Sequence, residues 1–337
     1  MQKGLTYDDV LLVPQYSDIR SRSEVSLRNR LSDSIQLDLP IIASPMDTVS
    51  ETDMVAAMWR EGGAAIIHRY NSIEEQIAMV SSLPKYVLVG AAVGVTNDYF
   101  ERAVSLYEAG ADFLCVDVAH GHHILMKAAL TKLRARLPSR FHIMAGNVAT
   151  LEGFNDLADW GASSIRCNIG GGSICTTRIQ TGHGLPGLAT IFECAKSDRD
   201  AKIIADGGIK TAGDIVKALA AGADFVMLGS LLAGTTETPG KVFVGTNGEL
   251  RKPYRGMASA KAQQNWRGNV ASCEGVESSV RHKGSIAEVL AELERGIRSG
   301  LSYSGARTIK LLQLRAKWMQ QTHASIIESS DHVRLIK

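Results

Sequence analysis

Apolar runs of strand length recur along the chain, with stretches of helical spacing between them. The runs are PIIASPM from Pro40, GAAIIH from Gly63, VLVGAAVG from Val87, DFLCVDVA from Asp112, HIMAGNV from His142, SIRCNI from Ser164, KIIADGG from Lys202 and DFVMLGS from Asp224, eight in all. Stretches such as NDYFERAVSLYEAG, HHILMKAALTKLRARL and TAGDIVKALAAGA lie between them and predict helices. Several close on the glycine that a left-handed C-cap favours. Strands that are apolar throughout are buried on both faces. Eight such alternations predict a parallel sheet closed into an α/β fold of (β/α)8 (TIM) barrel type, with an open doubly wound sheet as the alternative.

Two of the predicted helices lead into their strands through the same four residues, Gly110 to Phe113 and Gly222 to Phe225, which reads as shared turn chemistry. No other repeat or linker stands out, so residues 1–337 read as a single domain. Elaborations follow the eighth strand. From Thr235 to about Arg281 the chain is rich in Gly, Ser, Thr and charge without clear periodicity, the signature of a lid or irregular excursion. A flap is expected at roughly residues 250–282, and two helical patterns then close the chain.

Composition narrows the picture. The 337 residues carry 37 basic against 35 acidic side chains, a net charge of +2, so no charge excess points to nucleic acid or to an anionic membrane. No segment approaches the ~20 apolar residues of a membrane span, and the N-terminus has no signal-like run. The five cysteines, Cys115, Cys167, Cys175, Cys194 and Cys273, lack C-x-x-C spacing. That excludes a disulfide framework and a structural zinc site and predicts a reducing, cytoplasmic setting.

In a parallel barrel the reactive groups stand at the C-terminal ends of the strands. There this chain places Ser44-Pro45-Met46, Asp117, Asn147, Gly170 to Thr177, Asp206-Gly207-Gly208 and Gly229-Ser230. The sixth loop is the most unusual: three successive glycines admit close backbone approach, and Cys175 stands among hydroxyl residues. Cys115, Cys167 and Cys194, on strands or a helix, read as packing residues. The glycine pairs ending strands seven and eight suit a phosphate, although each alone could simply permit a turn. His120, His122 and His123 have no metal-ligand partner at matching spacing and read as a polar loop. Trp266-Arg267 reads as an anchor or stacking group, or as a solvated lid residue.

The motifs GLTYDDVLLVPQYS, SPMDTV, AGNVAT, GGGSICTTR, IIADGGIK, GDIVKALAAGADFVMLGS and YRGMAS resemble the IMP dehydrogenase and GMP reductase family from residue 3 to about 315. The resemblance implies chemistry at the purine C2 carbon. The Cys175 thiolate attacks while hydride passes between C2 and a nicotinamide, leaving a covalent thioimidate. It implies a proton-handling pair, Thr177 and Glu274, and ribose recognition by Asp206. A phosphate cradle follows from Ser173, Gly208, Gly229, Ser230 and Tyr254, with Gly207 among the nucleotide-binding residues. Backbone at Met257 and Ala258 would read the base, and Ser44, Met46 and Gly256 fall among the nucleotide-binding residues. Asp117, Val118, Ala119 and Asn147, with Ser21 and Arg22 of a neighbouring subunit, fall where the family contacts NAD or NADPH, which implies a homotetramer. Carbonyls of Gly170, Gly172 and Cys175 match a potassium site. Two departures are plain: Gly171 replaces the usual proline, and Arg166-Cys167-Asn168 the usual Lys-Val-Gly.

The family runs in two directions, IMP to XMP or GMP to IMP with loss of ammonia. Ile73 to Leu83 leads directly to the third strand, without the regulatory CBS modules that usual dehydrogenases insert there. The dehydrogenase flap's Arg-Tyr pair is replaced by Asn265-Trp266-Arg267-Gly268, and only sixteen residues separate Met257 from Glu274. Both features favour GMP reductase, leaving Arg267 as a lone candidate base. GLTYDDVLLVP, VAHGHH, MLGS and YRGM favour the dehydrogenase, and the reductase's usual Tyr-Arg is Ser272-Cys273. The expectation is GMP reductase with NADPH. IMP dehydrogenase with NAD, or a non-catalytic nucleotide-binding protein, are the alternatives.

Overall fold

A computed structural model describes residues 3–268, 270 and 273–329. All eight apolar runs form strands: β1 (Ile41–Ala43), β2 (Ala64–Ile67), β3 (Gly90–Val93), β4 (Phe113–Asp117), β5 (His142–Val148), β6 (Ser164–Cys167), β7 (Lys202–Asp206) and β8 (Phe225–Leu228). Each pairs in parallel with its sequence neighbour, and β8 pairs with β1, so the sheet closes into a barrel rather than opening into a doubly wound sheet.

The continuous apolar character has two destinations, as a closed sheet requires. Ile42, Ile66, Phe113, Met144, Ile204 and Phe225 fill the interior, and Leu31, Ile35 and Leu37, on and beside the hairpin of Asn29–Arg30 and Gln36–Leu37, join the same cluster. The alternate residues pack outward against the helices. Gly90 makes room inside: a Cβ there would lie 2.4 Å from the Phe113 ring. The two Gly-Ala-Asp-Phe turns do the same work. Gly110 and Gly222 take positive φ, and Asp112 and Asp224 each accept a backbone N–H from the preceding strand region, Val89 and Ile203. The helix Ile286–Tyr303 packs against both Ala212–Ala220 and Thr52–Arg60, completing the outer ring.

The excursion after β8 departs from the irregular segment expected for Thr235 to Arg281. Phe243–Val244, Leu250–Arg255 and Glu277–Arg281 form a three-stranded antiparallel sheet, and Ala260–Arg267 is helical. Its strands are polar on most positions, and only Lys252 and Tyr254 of the central one are buried, so no apolar alternation marked it. Lys252 fixes this sheet to the barrel by donating to the carbonyls of Thr235, Thr236 and Thr238. Arg255 pairs with Asp47 at 2.5 Å in the loop after β1. The C-terminal part also exceeds the two helices expected: Ile309–Arg315, a strand Trp318–Gln320 paired with Val10–Leu12, and His323–Glu328 follow the long helix.

Candidate active site

The loop after β6 carries Cys175 over the barrel mouth. It is held by backbone: Cys175 N–H donates to Gly172 O, Thr176 N–H to Glu274 O, and Val276 N–H to Ile174 O. Glu274 N–H in turn donates to Ala258 O, so the flap's returning segment is stitched between the Cys175 loop and the stretch Gly256–Ala258. Gly256 and Gly275 cross so closely that a Cβ at Gly256 would lie 3.3 Å from Gly275 Cα.

This stitching brings three side chains into a line. Cys175 Sγ lies 3.2 Å from Thr177 Oγ1, and that hydroxyl donates to Glu274 Oε2 at 2.7 Å. A thiol proton has a hydrogen-bonded path through a hydroxyl to a carboxylate. Cys175 is half-buried, whereas Cys115, Cys167 and Cys194 are fully enclosed. Burial pushes the Cys115 thiol up to about 12, and Cys167 also lies far above the usual range, chiefly through burial. These two are packing residues, as expected from their strands.

A cavity of about 550 Å³ opens beside the thiol and gathers most of the residues expected there. On one side it is lined by Ser44, Met46, Ser173, Gly207, Gly208, Gly229, Ser230 and Tyr254. Tyr254 lies 3.3 Å from the Ser173 hydroxyl, and burial above all raises its pKa, so it stays a neutral donor. A Cβ at Gly229 would fall within about 3.2 Å of Ser44 Oγ, Met46 Sδ and Tyr254 Oη, so glycine keeps this corner open. Gly256, Met257 and Ala258 cover the cavity, and Gly170 and Gly172 lie on the Cys175 turn. Asp117, Val118, Ala119 and Asn147 line it as well.

Three of the expected positions are not among the residues lining this cavity. Ser21 caps the short helix Arg22–Glu24, and Arg22 borders a separate basic groove with Arg295 and Arg298, so neither lines the cavity of its own chain. Arg267 ends the flap helix, but its side chain lies outside the described residues, as does Ser272. Trp266, in contrast, is an anchor rather than a solvated residue. Its ring stacks on Tyr70 at 5.6 Å and 12°, and the Arg102 guanidinium lies 5.5 Å from its centroid. His122 pairs with Asp156 at 2.9 Å, and no metal-holding group of His, Cys, Asp or Glu occurs among the described residues.

Sequence reasoning missed the charged floor. Arg166, on β6 and 7% exposed, points inward and bridges Asp117 and Asp206, reaching the latter at 2.8 Å. Asn147 donates to the same Asp206 oxygen at 2.7 Å, and Arg69 reaches Asp117 at 3.5 Å. Burial alone would raise the Asp117 carboxyl, but Arg166 and then Arg69 outweigh it and hold it below the usual carboxylate range. The available signal was an arginine inside an apolar strand, which can be buried only with a carboxylate partner.

The barrel mouth sets a half-buried thiol in hydrogen-bond reach of a hydroxyl and that hydroxyl on a carboxylate, beside a glycine-lined pocket and a buried Asp–Arg–Asp bridge, an arrangement with room for a small polar ligand next to a nucleophile. The model of the IMP dehydrogenase / GMP reductase domain matches residues 4–332, and the chain belongs to that oxidoreductase family. An inosine-5'-monophosphate dehydrogenase of Nitrosopumilus maritimus is 33% identical over 470 aligned positions, covering 98% of each chain. A GMP reductase of Leishmania major is 34% identical over 479 positions, covering 98% of this chain and 97% of the relative. The crystal structure of a cysteine-to-alanine variant of GMP reductase from Trypanosoma brucei, in complex with guanosine 5'-monophosphate, superposes with a TM-score of 0.94. It is 33% identical and covers 99% of this chain and 98% of the other. The family uses NAD or NADP. Both aligned relatives exceed the 337 residues of this chain, so its lack of an insert before β3 separates neither branch from the other.

Proposed function

We propose that this chain is a GMP reductase, converting GMP and NADPH to IMP, ammonia and NADP. The observation that carries the reading is the line Cys175–Thr177–Glu274, combined with a flap helix, AKAQQNWR, that holds no tyrosine and whose tryptophan is committed to Tyr70. A proton handled at the thiol itself suits an amine leaving from the carbon the sulfur attacks. It asks for no second base on the flap.

The 5'-phosphate of GMP is accommodated between the amides of Gly208 and Gly229 and the hydroxyls of Ser173, Ser230 and Tyr254. Asp206, steadied by Arg166 and Asn147, accepts from the ribose, and Gly256 to Ala258 face the base. Thr177 passes the Cys175 proton to Glu274, the sulfur adds to C2, and the stored proton returns to the amino group, which leaves as ammonia. The remaining thioimidate accepts hydride at C2, and the C–S bond breaks to give IMP and the thiolate. The cavity continues past the thiol to Asp117, Val118, Ala119, Asn147, Arg69 and Tyr70, a polar wall that fits a nicotinamide nucleotide. When bound, that nucleotide supplies the hydride.

Gly172 O keeps one lone pair after accepting from Cys175 N–H, so it and the carbonyls of Gly170 and Cys175 fit a monovalent cation such as potassium. Such a cation would brace the turn. Ser21 and Arg22 would meet the cofactor across a subunit boundary in a homotetramer, and a cytoplasmic setting suits the free thiols. Purified protein given GMP with NADPH, and separately IMP with NAD, tests the assignment. Ammonia release in the first mixture supports it. NADH formation in the second alone assigns the IMP dehydrogenase activity, and tight nucleotide binding without turnover in either assigns a non-catalytic binding protein.

A further inference from the structure

Asn168 opens the catalytic loop, with a backbone φ of 155° and only 3% exposure. Its carboxamide is folded into a niche between glycines. A Cβ at Gly171 would lie 2.1 Å from Asn168 Nδ2 and 2.8 Å from its Cγ, far inside contact distance. A Cβ at Gly187 would lie 3.2 Å from the same Nδ2, and one at Gly208 4.0 Å. The amide donates from Nδ2 to Gly207 O at 3.2 Å, while the Asn168 carbonyl accepts from Asn147 at 3.0 Å. One side chain therefore touches the loop that carries Cys175 and the loop after β7 that carries Gly207 and Gly208. Its Oδ1 is buried and accepts no hydrogen bond among the described residues, so shape and the single Nδ2 bond hold it.

We propose that Asn168 is a positioning residue, an internal strut that sets the distance between the Cys175 loop and the glycine loop after β7, and that Gly171 is glycine because the strut occupies the space of its Cβ. The two departures from the family pattern, at 168 and 171, are then one compensated change. Gly171 does not adopt a positive φ, so its backbone tolerates a side chain, and the nearest obstacles to a Cβ are atoms of Asn168. At 168 glycine accepts the observed φ freely, so Asn168→Gly removes the strut without straining the backbone. The consequence for substrate rests on the reading that the glycine loop holds a nucleotide phosphate.

The test is a double-mutant cycle on the full chain with Asn168→Gly, Gly171→Ala and the two combined, reading GMP and IMP affinity by calorimetry and Cys175 alkylation by iodoacetamide with peptide mass spectrometry. Asn168→Gly is expected to weaken nucleotide binding about tenfold, and Gly171→Ala, an overpacked change, about thirtyfold or to the point of misfolding. In the combined variant the new methyl enters the vacated niche, and both affinity and alkylation rate return to within about threefold of wild type. Recovery of folding alone, where a single variant fails to fold, supports the strut equally. Additive losses in the combined variant, or single variants that bind and alkylate as wild type, overturn it. If the wild-type protein binds neither nucleotide, the functional reading fails, while the alkylation cycle still decides for or against the strut.

Discussion

Thr177 and Glu274 stand 97 positions apart in the chain, yet the hydroxyl of one donates to the carboxylate of the other at 2.7 Å. The flap makes this contact possible, because its returning segment is hydrogen-bonded to the Cys175 loop on one side and to Ala258 on the other. The pair is part of the site's construction and is held ready beside the thiol.

Removing the pair is expected to stop proton transfer and leave the nucleotide contacts in place. Glu274→Gln and Thr177→Val should each lower kcat by about 10²- to 10⁴-fold, the range for a lost general acid–base group. GMP affinity should change by less than about threefold. A loss confined to KM would show that these residues bind the nucleotide and do not handle its proton.

Arg166 neutralises two buried carboxylates, so Arg166→Met should be severe. Leaving Asp117 and Asp206 without the guanidinium costs about 3–5 kcal/mol by the usual penalty for a broken buried pair. The sign with pH follows from Asp117. Its folded-state pKa is depressed in the wild type, so its contribution is present above the unfolded value of about 4 and fades as pH falls through the folded one. Without Arg166, burial is opposed by Arg69 alone, so that pKa lies higher than in the wild type and protonation relieves the variant. The gap in thermal midpoint between wild type and variant should therefore narrow from pH 7 towards pH 4, and a constant gap would contradict the bridge.

How much of this could be read in the sequence depends on where the information sits. Both-faces burial writes itself into a strand as a continuous apolar run, so β1 to β8 and their closure were legible, as were the glycine-rich loops at their ends. Glu274 near Cys175 was not legible from composition or spacing and came only through resemblance, because the flap's hydrogen bonds are made by backbone. Arg166 announced a buried partner but not which one, since the neighbours of a barrel residue are set by register across strands. The flap sheet was hidden because Leu250–Arg255 turns Lys252 and Tyr254 inward and Arg251, Pro253 and Arg255 outward, which gives no apolar alternation.

Trp266 ties the flap helix to the barrel through Tyr70 and Arg102. Trp266→Ala should free this helix, with faster amide exchange over residues 260–267 and a loss of about 1–2 kcal/mol from the stack and the cation–π contact together. Trp266→Phe should recover part of both. Unchanged exchange in the alanine variant would show that backbone hydrogen bonds alone hold the flap.

Thiol accessibility separates the cysteines. Brief treatment of the folded protein with iodoacetamide should modify Cys175 and Cys273, both half-buried, and spare Cys115, Cys167 and Cys194 until the protein unfolds. Prior addition of GMP should protect Cys175 and not Cys273. Equal protection of both would place the nucleotide elsewhere.

The most direct test of covalent chemistry at Cys175 is an acid quench during turnover of GMP with NADPH, followed by mass spectrometry of the peptide that carries it. The expected result is a purine nucleotide attached at Cys175, ammonia released in step with NADPH oxidation, and neither in Cys175→Ala. Turnover with that peptide unmodified and the alanine variant still active would contradict it.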